Sequence, residues 1–76
     1  MKVITVSKEL LNPLSLPGMG RSLELNNISE GENMEIRNAY ANKELVVRFE
    51  GEEATHLVIQ LWPDPHYISR LTIFIK

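Results

Sequence analysis

Residues 43–62 read K-E-L-V-V-R-F-E-G-E-E-A-T-H-L-V-I-Q-L-W. Two runs rich in β-branched and apolar residues flank a charged break that contains glycine, the pattern of a β-hairpin. Alternation places Leu45, Val47 and Phe49 opposite Leu57, Ile59 and Leu61 on one face. The other face then carries Val46, Arg48, His56, Val58, Gln60 and Trp62. Loop length fixes which rows meet, because a slip of one residue exchanges the faces. A two-residue loop at positions 51–52 sets Glu50 against Glu53 and Val47 against His56. A three-residue loop, 51–53, pairs Val47 with Leu57, Val46 with Val58 and Leu45 with Ile59. The second register is expected, because it avoids opposed like charges and keeps apolar rows together.

Downstream, W-P-D-P-H-Y at 62–67 breaks the chain with two prolines, which a central ladder excludes. A last strand at 68–76 places Leu71, Ile73 and Ile75 on one face and Arg70, Thr72 and Phe74 on the other. Upstream, Leu23 and Leu25 alternate with Ser22, Glu24 and Asn26, and Met34 and Ile36 alternate with Glu35 and Arg37. Turn formers fill 27–33 and 38–42. Residues 2–7 alternate as a first strand. Ser7 can cap one helical turn through Leu11, which Pro13 ends. The spacing predicts an all-β fold: one domain over 1–76, a small antiparallel meander of about six strands forming a sandwich or barrel. One long Pro/Gly loop (8–20) and no helix beyond about a turn complete the expectation.

Composition narrows the function classes. A chain of 76 residues has a core that supplies only about 3–5 kcal/mol unless staples or partners help. Cysteine is absent, so neither a disulfide nor a thiolate metal site can serve as a staple. No apolar run approaches the ~20 residues of a membrane span. Met1 and Lys2 lead directly into an alternating strand, with no signal-peptide pattern, so a cytoplasmic location is expected. The net charge of −2 gives no basic excess for nucleic acid. The runner-up reading is a small β-barrel for single-stranded nucleic acid, with Trp62, Arg70 and Phe74 as a stacking platform.

The residues give little chemistry. His66 and Asp64 share a loop, but no third donor stands near them for a metal. His56 sits mid-strand, and Glu52 and Glu53 are adjacent turn carboxylates. P-G-M-G-R at 17–21 lacks the Lys-Ser/Thr end of a phosphate loop and precedes a strand. No catalytic residue, metal or cofactor is assigned.

The remaining signal is apolar surface. Val46, Val58 and Phe74 fall on the face that alternation leaves wet, and an apolar patch there would mark a subunit interface. Trp62, His66 and Tyr67 at the proline turn, and Leu14, Leu16 and Met19 in the long loop, are the expected contacts to a partner. The sequence therefore predicts a non-catalytic module that binds another protein stoichiometrically, as a regulator, inhibitor or structural subunit, and self-associates.

Overall fold

The computed structural model describes residues 1–13 and 20–76. Their elements are β1 (Lys2–Val6), β2 (Arg21–Leu25), α1 (Glu30–Ala41), β3 (Leu45–Phe49), β4 (Thr55–Pro63) and β5 (Leu71–Ile75). A single 3-10 turn, Lys8–Leu10, follows β1 and is capped by Ser7, whose hydroxyl accepts from the Glu9 amide. The strands form one curled sheet, a half-barrel of order β1-β3-β4-β5-β2. The chain is mainly β, but it is not all-β, and the meander is partial. Only β3-β4-β5 runs as consecutive antiparallel neighbours; β1 lies parallel to β3, and β2 pairs with β5. The last strand is therefore internal, flanked by β4 and β2, which shelters L-T-I-F-I, an uncharged β-prone segment that would be an aggregation hazard as a free edge.

The helix replaces a predicted turn, strand and turn. Ser29 caps it, its Oγ accepting from the Glu32 amide at 3.1 Å. Glu30 and Glu32 lie in the first turn, where carboxylates favour the positive end of the helix dipole. Asn33, Ile36 and Tyr40 follow at helical spacing and turn toward the sheet, while Met34 is left exposed. The apparent Met34–Ile36 alternation was thus two residues on different sides of a helix. The helix ends at Ala41 with Asn42 as its C-cap, and Lys43 just beyond adopts a left-handed φ of 59°. Its amide donates to the Tyr40 carbonyl and that of Glu44 to the Ala39 carbonyl, closing the last turn as a Schellman motif.

The opening hairpin takes the register that was not expected. Val46 faces Leu57, Val47 faces His56 and Arg48 faces Thr55. Two objections stood against this register: the mixed pair of Val47 with His56, which does form, and the clash of Glu50 with Glu53. Pairing stops at Arg48 and Thr55, so those carboxylates never oppose each other. The turn is instead closed by the Glu52 amide donating to the Phe49 carbonyl, with Gly51 at φ 81°. Farther along β4 a bulge between Val58 and Gln60 shifts the register against β5. Trp62 then faces Thr72, and Val58 faces Ile75.

The core fills the concave side beneath α1. Leu23, Ile36, Leu45, Val47, Phe49, Leu71, Ile73 and Ile75 are sealed there. Lys2 reaches from β1 across the rim to Glu32 and Glu35 on the helix, at 3.3 and 3.2 Å. The hydrogen bond to Glu35 raises its ammonium above the ordinary lysine range. At the far edge Gly20 is obligatory: its φ is 72°, and a Cβ there would lie 2.5 Å from the Ile75 carbonyl oxygen.

Candidate functional site

The register decides which apolar side chains reach solvent. A slip of one residue turned Leu57 and Ile59, assigned inward from the sequence, to the outside. It also dispersed the expected interface. Val58 joins the concave core, whereas Val46 and Phe74 lie outside that cluster. All three are buried within the single chain, at 6%, 6% and 3% exposure. Phe74 is covered by Trp62, whose ring meets it edge-on at 4.6 Å. Val46, Val58 and Phe74 therefore do not form a surface patch.

Exposed apolar groups instead run along β4 and the turn after it. Leu57 is 51% exposed, Ile59 39%, Trp62 47%, Tyr67 56% and Ile68 53%. These are five of the nine large apolar side chains that face solvent among the described residues. Leu57, Val58 and Ile59 line a cleft of about 480 Å³ with Tyr40, Ala41 and Lys43 from the end of α1. The cleft opens because β4 outruns β3: beyond Leu57 it pairs with β5 alone. Tyr40 spans part of the gap, its hydroxyl donating to the Gln60 side-chain oxygen at 3.4 Å.

The proline turn is shaped by polar contacts. Asp64 Oδ1 accepts from the amides of His66 and Tyr67 at 2.7 and 3.0 Å. The His66 amide is the main cause that holds the Asp64 carboxyl below the usual aspartate range. Arg70 lays its guanidinium 4.8 Å from the Tyr67 ring centroid. From beneath, the buried Asn33 donates its Nδ2 to the Ile68 carbonyl at 2.7 Å, and the Ile28 amide donates to Ser69. The turn is thus tied to α1 while Trp62, His66 and Tyr67 stay outside. Leu14, Leu16 and Met19 lie outside the described residues.

The titratable groups do not converge. Asp64 bonds the His66 backbone, not its ring, and His56 lies on β4 beside Arg21 and Phe49. Among the described residues no three His, Cys, Asp or Glu side chains are grouped to hold a metal. No helix among them is long and apolar enough to cross a membrane. Comparison with protein families, curated proteins and solved structures gives no match to this chain.

Leu57, Ile59 and Ile68 are the surface residues of this stretch that sequence reasoning missed. For Leu57 and Ile59 the missing signal was the register and the bulge that follows it. For Ile68 it was the length of the turn, since β5 begins only at Leu71.

Proposed function

We propose that this chain is a non-catalytic binding protein that acts stoichiometrically, holding another protein against β4 and the turn that follows it. The observation that carries this reading is the concentration of exposed apolar groups between Leu57 and Ile68. Apolar groups left in water on one strand and its turn are better used at an interface than in an isolated chain. Trp62 and Tyr67 supply large area at little conformational cost, and the hydrogen-bonded turn holds Tyr67 in place. A regulator, an inhibitor or a structural subunit would each use such a surface. Self-association, expected from the sequence, needs a surface other than Val46, Val58 and Phe74.

The test is affinity capture from the cells that make the protein, read by mass spectrometry and stoichiometry. The wild-type chain should retain one partner at a fixed ratio, and the double variant Trp62→Ser/Tyr67→Ser should lose it while staying folded, with the wild-type circular dichroism and a melting temperature lower by only several degrees. Capture of the same set of proteins by both chains would rule this surface out. The stacking of Arg70 on Tyr67 favours a second reading, base stacking on single-stranded nucleic acid. Salt-sensitive binding of oligo-dT or oligo-U that vanishes with Tyr67→Ser would select it.

A further inference from the structure

The free edges of this sheet are not alike. The outer edge of β2 is covered: Leu11 bridges Leu23, and the Asn12 amide donates to the Ser22 carbonyl at 2.8 Å. The part of β4 that outruns β3 is kinked by its bulge and ends in Pro63, which has no N–H to offer. β1 has none of these protections. Lys2–Val6 contains no proline, glycine or bulge, and its one charge is drawn inward to Glu32 and Glu35. Among the described residues nothing pairs with its outer side.

The hydrogen bonds show which residues face outward. The Lys2 amide donates to the Glu44 carbonyl, and the Val6 carbonyl accepts from the Glu50 amide. Residues 2, 4 and 6 therefore turn their backbone groups toward β3. In a parallel ladder the alternate residues, Val3 and Thr5, then point both N–H and C=O away from the sheet.

We propose that β1 pairs antiparallel with β1 of a second copy of this chain, about a two-fold axis at Ile4. Val3 of each copy then faces Thr5 of the other, and each pair exchanges both backbone hydrogen bonds. The two-residue spacing of the outward groups makes the edge complementary to itself. Charge agrees with this register: Lys2 faces Val6, Ile4 faces Ile4, and no like charges meet. Val3 and Thr5 are β-branched and solvent-exposed, and pairing would cover both. On the outer face Val3 continues the row through Val46 to Leu57, so the new contact extends a packed row. This proposal concerns a different edge from the β4 surface and stands or falls separately from it.

Solution mass by light scattering across a concentration series tests the idea. The wild-type chain should approach twice its 8.7 kDa as concentration rises. Two variants decide the register: Val3→Glu/Thr5→Glu and Val3→Lys/Thr5→Lys. Each should keep the wild-type circular dichroism and remain a monomer, because like charges now face each other. Mixed one to one, they should assemble into a heterodimer. Thr5→Pro, which removes an outward N–H together with the Thr5 Oγ1 that accepts from Arg48, should weaken association about tenfold or more by deleting two hydrogen bonds per dimer, and Thr5→Val, which removes the hydroxyl alone, should leave association unchanged. Trp62→Ser should leave the dimer intact. A wild-type monomer up to about 1 mM, which would leave the pairing worth less than about 4 kcal/mol, would overturn the proposal. So would charge variants that dimerise like the wild type, or a mixture that fails to assemble.

Discussion

On the concave face of the sheet, Phe49, Ile73 and Ile75 are sealed beneath α1. On the convex face, Val46 and Phe74 are nearly as well buried with no helix over them among the described residues, while Val3, Leu57 and Trp62 beside them stay about half exposed. The residue types on the two faces are similar, so hydrophobicity alone does not decide burial. Position within the sheet decides it. Val46 sits on β3 between Val3 and Leu57, and Phe74 on β5 beneath Trp62, so central strands are shielded by the side chains of their neighbours. Those neighbours then carry the exposed apolar area. The inner face holds the fold together, and the outer face offers surface.

The largest expected effect follows from that contrast. Phe49→Ala should empty the centre of the concave core and cost about 3–5 kcal/mol, enough to unfold a chain of this size. Trp62→Ala removes a still larger aromatic from the convex face but should cost only about 1 kcal/mol, chiefly the edge-on contact with Phe74. Urea denaturation of both variants measures the difference. Similar losses at the two sites would show that the convex face is core as well, and the division drawn here would fail.

Much of this division was legible in the sequence, and its failures have physical causes. The strands at 2–7, 21–25 and 43–49, the Ser7 cap and the proline turn follow from alternation and local chemistry. The helix was missed because Glu30–Ala41 buries little beyond Asn33 and Ile36, so its apolar stripe is faint. The signal available was Ser29-x-x-Glu32, the sequence form of a capping box, with Asn33, Ile36 and Tyr40 at helical spacing behind it. The exposed surface was missed for a different reason. Register depends on where pairing stops, and opposed glutamates argue against a register only if the ladder reaches them. The bulge at Ile59 has no marker in residue type, since neither glycine nor proline stands there. Both errors are non-local, and together they moved Leu57 and Ile59 from the inside to the outside.

Asn33 joins the two faces and gives an intermediate effect. It is fully buried on the concave side, yet its Nδ2 holds the Ile68 carbonyl of the turn that carries the exposed aromatics. Its Oδ1 has no partner among the described residues. Asn33→Ala should cost about 1–3 kcal/mol, because the Ile68 carbonyl loses its donor. Hydrogen exchange should show faster opening of residues 64–70 before any change in β3. A uniform loss of protection across the sheet would mean that Asn33 supports the core and not the turn.

The smallest effect concerns the same turn seen from its outer side, where order comes from a carboxylate and not from apolar packing. Asp64 accepts from the His66 and Tyr67 amides, and these bonds favour its charged form, so its folded pKa is lowered. A lowered carboxyl pKa stabilises the folded turn at any pH above the ordinary aspartate value, near about 3.9. That contribution is lost as pH falls through the lowered folded value. The His66 and Tyr67 amide shifts should therefore stay constant through neutral and mildly acidic solution and move together only below the ordinary aspartate range. Asp64→Asn keeps an acceptor oxygen at the same place but cannot titrate, so the turn should persist and its acid transition should disappear. Wild-type amides that move at the ordinary aspartate pH would show that the carboxylate gains nothing from them. The presentation of Tyr67 would then depend on Asn33 and the chain beneath it, and the outer surface would owe its order to the concave side after all.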